Sequence, residues 1–336
     1  MKFLITGGAG YIGSTISSAL LDAGHTPVIL DSLVTGRSEF THGRIFYQGD
    51  VADATLVKKI FQEHPDIQAT VHCAALIVVP DSVSQPYEYY RENVVKSLEL
   101  FRNLNKLGCN RVVFSSSASI YGTTPDFKVT EESPLSQTSP YARTKYMMEM
   151  VLRDFCSAYQ MRGIALRYFN LIGADPKMRT GLQNPHPTHI LGKLVQVALG
   201  ELPYFQITGT DYPTRDGTGL RDYIHVWDLA RAHVSAVSDF DNIFTKAGNP
   251  ADGYIAINLG TGRGVTVREM VVAFEKVYGK SITKKEVGHR PGDIAGAYAS
   301  ADKAARLMGW KTELSLEQGI QHALEWGKRR KEILGL

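Results

Sequence analysis

A chain of 336 residues, 43% of them hydrophobic, is long enough to bury a large core. Its 37 basic and 34 acidic side chains leave a formal net charge of +3, which gives no electrostatic case for nucleic acid or an anionic membrane surface. Cys73, Cys109 and Cys156 lie far apart and form no CxxC spacing, which argues against a disulfide framework and a zinc site, and no run of about 18 apolar residues exists to span a membrane.

The first residues run straight into glycines and lack the apolar core of a secretory leader, so a soluble cytoplasmic protein is expected. Up to about residue 170, short β-rich runs alternate with amphipathic stretches. Strands are expected over 2–6, 26–30, 44–47, 69–73, 111–115 and 163–167, and helices over 11–23, 54–63, 86–105 and 141–159. That alternation is the pattern of a parallel sheet covered by helices. From Leu171 the texture changes, and Pro176, Pro185, Pro187, Pro203 and Pro213 mark a loop-rich region. Beyond it, helices over 189–199 and 226–237, a strand over 255–259 and further C-terminal helices are expected.

Directly after the first strand, Gly7-Gly8-Ala9-Gly10-Tyr11-Ile12-Gly13 opens the first helix in a Gly-x-x-Gly-x-x-Gly frame. Glycines there permit a tight turn, close approach of a pyrophosphate to the backbone, and close helix–strand packing. The helix N-terminus adds free N–H groups and the positive end of its dipole. A plain strand–turn–helix also favours glycine, so the motif draws its meaning from context. Asp31 ends the second strand eighteen positions after Gly13, close to the roughly 20 expected of a carboxylate that accepts from a ribose diol. The same charge repels a 2′-phosphate, which favours NAD over NADP. Asp50 and Val51 follow the third strand, where Asp50 either reaches the adenine amino group or caps the next helix. The small Cys73-Ala74-Ala75 run after the fourth strand lets a cofactor pass close to the backbone. The expected fold is a Rossmann-type doubly wound parallel sheet over residues 1–170. A smaller α/β substrate-binding domain is expected over 171–336, with some late segments returning to the main sheet.

Tyr141-Ala142-Arg143-Thr144-Lys145 sets a tyrosine and a lysine four apart, on one face at the start of a helix. A phenol is a poor base at neutral pH, and an adjacent ammonium lowers its pKa by favouring the phenolate. The spacing alone is common by chance. Ser115-Ser116-Ser117 follows the fifth strand and brings hydroxyls to the C-terminal edge of the sheet, where ligands of open α/β folds bind. Simple turn chemistry accounts for Ser115 and Ser116, and Ser117 is the hydroxyl expected to reach substrate.

Together, the glycine frame, the serine after the fifth strand and the Tyr-x-x-x-Lys pair resemble the extended short-chain dehydrogenase/reductase superfamily. Within it the chain resembles the UDP-glucose 4-epimerases. The likeness is carried by residues 7–14, SSSASIYG at 115–122, SPYARTK at 139–145, RYFNLIG at 167–173 and GTDYPTRDGTGLRDYIHVWDLA at 209–230, and it covers nearly the whole chain. The resemblance implies an isomerase that transiently oxidises C4 of a UDP-hexose with tightly held NAD, swings the 4-keto intermediate about its pyrophosphate, and reduces the opposite face. It implies Tyr141 as base and acid, Ser117 as the assisting hydroxyl and Lys145 as the ribose contact that lowers the tyrosine pKa. Ser32, Asn93, Ser115 and Tyr168 are implied as further NAD contacts, and a homodimer through the helices over 86–105 and 141–159 is implied as well.

The two phosphate charges of UDP need local cations, because the protein is nearly neutral. Arg221 and Arg290 fit, since guanidinium binds phosphate bidentately; without the resemblance each reads as a solvated surface charge. Asp293 is implied on the uridine ribose, and Asn170 and His189 near the diphosphate or sugar. His186 and His189 sit in a proline-rich loop without a carboxylate ligand set, so no metal is expected. Some relatives carry lysine where Ile77 falls, so one cationic contact is missing. Four residues beyond Asp293, Ala297 occupies the place where a large aromatic restricts relatives to glucose and galactose. A small residue there implies that UDP-GlcNAc and UDP-GalNAc are also accepted, while a one-residue slip would put Tyr298 at that place. Two alternatives stand beside this reading. A sugar-nucleotide dehydratase would carry an acid just after the serine, where this chain has Ala118-Ser119-Ile120. A non-catalytic NAD-sensing protein on the same fold often lacks the tyrosine or the lysine.

Overall fold

The computed structural model describes residues 1–289 and 295–335. The alternating first half builds β1 (Lys2–Thr6), β2 (Thr26–Asp31), β3 (Ile45–Gln48), β4 (Ile67–His72), β5 (Arg111–Ser115) and β6 (Arg162–Tyr168), and β7 (Tyr254–Leu259) arrives from far down the chain. These seven strands form one sheet in the order β7-β6-β5-β4-β1-β2-β3, with every pair parallel. Parallel strands covered on both faces read as unbroken apolar runs, and Phe3, Leu4 and Ile5 of β1 are wholly buried. The chain steps outward from β1 in both directions. The order therefore reverses between β1 and β4, which opens a crevice at their carboxyl ends.

The helices Tyr11–Asp22, Val226–Ser238 and Phe240–Lys246 cover one face through Ile16, Leu20, Leu229 and Phe240. Ala54–Glu63, Lys96–Lys106 and Pro140–Tyr159 cover the other through Val57, Ile60, Phe101, Leu104, Met148 and Leu152. A third core, with Ile172, Leu194, Phe205, Phe274 and Leu324, is built wholly from later residues. Segments cross the border expected near residue 170 in both directions. β7 and the helix Val226–Ser238 join the main sheet, whereas Lys128–Val129 joins a small sheet with Gly296–Ala299, Leu220–Arg221 and Val265–Thr266.

The helix expected over 86–105 differs in detail. It runs as Pro86–Tyr90, widens into a π-turn over Arg91–Val95 and continues as Lys96–Lys106, with an extra short helix, Val79–Ser84, before it. Such widened turns recur at functional sites. Here the turn carries the buried Asn93, whose amide donates to the Leu76 carbonyl at 2.9 Å and accepts from the Leu76 amide at 2.7 Å. No helix among the described residues is long and apolar enough to cross a membrane.

Candidate active site

The glycine turn sits at the crevice. Gly7 leaves β1 with φ 69°, in the left-handed region that glycine tolerates, and a Cβ there would lie 2.7 Å from the backbone nitrogen of Ala74. A Cβ on Gly13 would come within 2.3 Å of the Gly7 carbonyl oxygen. Only hydrogen fits between β1, the end of β4 and the first helical turn. Gly10 caps the helix Tyr11–Asp22 without a side chain, and the first turn holds no acid, so its amides are left for an anion. Asp31 is buried beside them and accepts from Ala9 N and Leu33 N at 2.9 and 2.8 Å. Burial pushes its carboxyl up while those amides pull it down. It thus shapes the turn as well as ending β2, and the adjacent Ser32 is exposed. Tyr11 donates to the Gly173 carbonyl at 2.6 Å, tying the turn to the strand Asn170–Ile172, and Ile12 packs against the core.

Asp50 does not cap the following helix. That place is taken by Asp53, which accepts from Thr55 N and Leu56 N. Asp50 instead pairs with Lys96 at 2.5 Å and accepts from Ala52 N, next to the buried Val51. Asp53 stands directly before the helix, whereas Asp50 lies four positions away.

On the far side of the crevice, Ser139 caps the helix Pro140–Tyr159 by accepting from Ala142 N at 3.1 Å, with Pro140 in the first turn. Tyr141 and Lys145 follow one turn apart. Lys145 is buried, donates to the Ser115 carbonyl at 2.8 Å, and lies 6.0 Å from the Tyr141 ring centroid. The Ser117 hydroxyl donates to Ser119 Oγ at 2.9 Å and favours the phenolate of Tyr141. The three residues singled out by motif therefore meet. One electrostatic expectation is corrected: burial raises the Tyr141 pKa, while the nearby Ser117 hydroxyl pulls it down. Burial in turn lowers Lys145 to about 8, with Cys73 and Glu149 pulling the other way.

Ser115 and Ser116 do more than make a turn, which corrects that expectation as well. Ser115 bonds His233 Nε2 at 2.9 Å and Cys73 Sγ at 3.1 Å. Ser116 bonds Glu149, which is locked to Arg167 at 2.6 Å and receives the Tyr254 hydroxyl at 2.9 Å. Glu149 falls four residues beyond Lys145 on the Tyr141 face of the helix, a spacing visible in sequence. Its partners are distant in the chain and were not. Ala74 closes on Gly7 with Ala75 beside it, Asn93 also reaches Thr144 at 3.1 Å, and Tyr168 is buried at the end of β6.

The residues expected to hold substrate lie mainly at the border between the halves. Asn170 starts the strand Asn170–Ile172, which pairs with Tyr223–His225. Arg221 is half-buried and donates to the Leu220 and Ala295 carbonyls at 2.7 and 3.2 Å. Its parallel partner across the strands is Ala297. Ala297 is buried with Ala118, Ile120 and Tyr121, while Tyr298, next along the strand, pairs with Lys128. Successive side chains alternate in a strand, so it is Ala297 that shares the face of the serine loop. His189 caps the helix Ile190–Ala198 by accepting from Gly192 N at 3.2 Å. Its buried Nε2 has no hydrogen-bond partner among the described residues, and burial pulls the ring to about 4. His186 and Ile77 are exposed. Arg290 and Asp293 lie outside the described residues.

Sequence reasoning missed Asp222. Its buried carboxylate accepts from Thr261 N and Oγ1 and from Ala299 N, tying the loop after β7 to the strand Gly296–Ala299, and burial pushes it up to about 6. A charge between Arg221 and an aromatic was the only local sign of it.

The model of the NAD dependent epimerase/dehydratase family matches residues 3–249. The chain belongs to this family. Among its relatives, the UDP-glucose 4-epimerase of Bacillus subtilis (strain 168) is 42% identical, over 97% of this chain and 96% of the other. The structure of the UDP-glucose-4-epimerase of Stenotrophomonas maltophila, with bound NAD and formylated UDP-arabinopyranose, superposes with a TM-score of 0.92 at 37% identity, covering 99% of each chain. The UDP-Glc/GlcNAc 4-epimerase of Campylobacter jejuni superposes with a TM-score of 0.81 at 33% identity, over 98% of this chain and 99% of that one. The family's dinucleotide fits the residues present. The cradle at Gly7 and Gly13 is one that any Cβ would fill, and uncapped amides and a buried carboxylate stand on either side of it.

Proposed function

We propose that the protein inverts C4 of a UDP-hexose, interconverting UDP-glucose and UDP-galactose with NAD retained throughout. The observation that carries this reading is the meeting of Tyr141, Ser117 and Lys145 at the carboxyl edge of β5, across the crevice from the glycine cradle. NAD, when bound, supplies a reversible acceptor for the C4 hydride. Tyr141 takes the proton from the C4 hydroxyl and returns it, and Ser117 steadies the phenol and the reacting oxygen. Lys145 keeps a positive charge beside the phenol and donates to the nicotinamide ribose, while the first-helix amides hold the pyrophosphate and Asp31 the adenosine ribose. Asp50, Val51 and the Cys73–Ala75 run flank the cofactor, with Ser32, Asn93, Ser115 and Tyr168 completing its site.

Arg221, Asn170, His189, Arg290 and Asp293 anchor UDP, which leaves the sugar free to present either face. Ala297 leaves room beside it for an N-acetyl group, so UDP-GlcNAc and UDP-GalNAc are also substrates. Residues 1–170 serve mainly the dinucleotide and 171–336 mainly the UDP-sugar. Apolar side chains left exposed on neighbouring helices, among them Val83, Tyr87, Val95 and Met150, support a homodimer through that face, and the enzyme works in the cytoplasm. A dehydratase would need an acid beside Ser117, and Ala118 stands there. Incubation with UDP-galactose and separately with UDP-GalNAc, read by the appearance of the C4 epimer, tests both parts. No conversion of UDP-galactose would end the reading.

A further inference from the structure

We propose that His233 is a positioning residue for the reaction, a role that rests on the function given above: its neutral imidazole fixes the direction of the Ser115 hydroxyl, and Ser115 holds the groups around Lys145. His233 is wholly buried on the helix Val226–Ser238, far in sequence from every motif residue it serves. Its Nδ1 lies 2.9 Å from the Leu229 carbonyl oxygen. A carbonyl can only accept, so Nδ1 carries the hydrogen and Nε2 presents a lone pair. Ser115 Oγ, 2.9 Å from Nε2, must then donate to it. The single Ser115 proton is committed.

A lone pair of that hydroxyl then faces the Cys73 thiol at 3.1 Å, which must donate. The Ser115 and Cys73 protons each have one acceptor, so these two bonds fix the direction of the hydroxyl. Two observations keep the arrangement in this polarity. Burial pulls the imidazole to about 4, so it stays neutral, and pushes the Cys73 thiol up to about 11, so it stays a donor. The Tyr168 ring also meets the imidazole edge-on, with centroids 6.2 Å apart. The carbonyl of the same Ser115 receives Lys145 Nζ at 2.8 Å. One residue thus links the ammonium and the thiol, and a histidine on the opposite layer sets its orientation. Packing alone would be met there by leucine or phenylalanine. A buried polar hub is stable only when fully satisfied, so removing the Nε2 acceptor lets Ser115 turn and loosens the floor under Tyr141 and Lys145.

The test compares His233→Phe, which removes the acceptor, with His233→Gln, whose amide oxygen reaches the Nε2 place, and with Ser115→Ala. Each is measured with UDP-galactose, and with UDP-galactose deuterated at C4, per cofactor-loaded active site. His233→Phe is expected to lower kcat about tenfold with KM changed less than about twofold, because a misplaced reacting group costs the chemical step rather than binding. The deuterium effect should stay at least as large as in the wild type, Ser115→Ala should behave alike, and His233→Gln should recover most of the rate. A His233→Phe enzyme at wild-type kcat overturns the role. So does a loss that His233→Gln shares, or one accompanied by a shrinking isotope effect. If His233→Phe fails to fold, Ser115→Ala decides, and wild-type turnover there also overturns it. A wild-type protein that leaves UDP-galactose unchanged would instead remove the function itself, and the role with it.

Discussion

At the residue scale, the chemistry rests on groups whose partners were legible where spacing is local. Tyr141 and Lys145 share a helical face, and Ser117 follows a strand end, so all three were readable from sequence. The Ser115–His233 and Glu149–Arg167 contacts were not, because they join residues on different elements through the core. Lys145 carries a pH prediction. Burial lowers it to about 8, so the ammonium is present below that pH and lost above it. Turnover should fall as pH rises through about 8, and Lys145→Met should be slow and lack that limb. A wild-type rate still climbing at pH 10 would contradict this. Ala297 carries a second prediction. Ala297→Tyr fills a position buried against Ala118 and Tyr121, so turnover of UDP-GalNAc should drop at least about tenfold while UDP-galactose is kept, as steric discrimination of this kind allows. Equal losses on both sugars in paired assays would refute the assignment.

At the element scale, long periodic segments were readable and short ones were not. The strands of the first half and the helix over 54–63 fall where the apolar periods put them. Two-residue strands such as Leu220–Arg221 and Lys128–Val129 are too short to show a period, and their pairing is set by tertiary contact. The π-turn over Arg91–Val95 left no periodic mark, because one widened turn shifts the apolar stripe by less than its own width. The glycine turn gives the sharpest element-level test. Gly13→Ala would press a methyl carbon to within 2.3 Å of the Gly7 carbonyl oxygen, so the first helix must move away from β1. The purified variant should lose the dinucleotide absorbance that the wild type retains. Undiminished retention in the variant would show that the turn is not the cradle described.

At the scale of the whole molecule, the reversal of strand order between β1 and β4 decides where everything meets. The glycine turn approaches it from one side, and the serine loop with the Pro140–Tyr159 helix from the other. The later half supplies Arg221 and Ala297 as partners on adjacent parallel strands. Sequence texture suggested a border near residue 170. It could not say that Lys128–Val129 crosses it one way and β7 the other, since crossing strands look like any others along the chain. The exposed Val95 and its apolar neighbours predict association through that face. Sedimentation should report a dimer that Val95→Glu shifts toward monomer, and a wild-type monomer at micromolar concentration would contradict it.

The proposed isomerisation depends on the phenol of Tyr141 moving the proton. The direct measurement is isomerisation of UDP-galactose by wild-type and Tyr141→Phe enzymes matched for bound cofactor. Removing the proton-transfer group should slow turnover by about 100-fold to 10,000-fold with the fold intact. A Tyr141→Phe enzyme that isomerises at the wild-type rate would contradict the account.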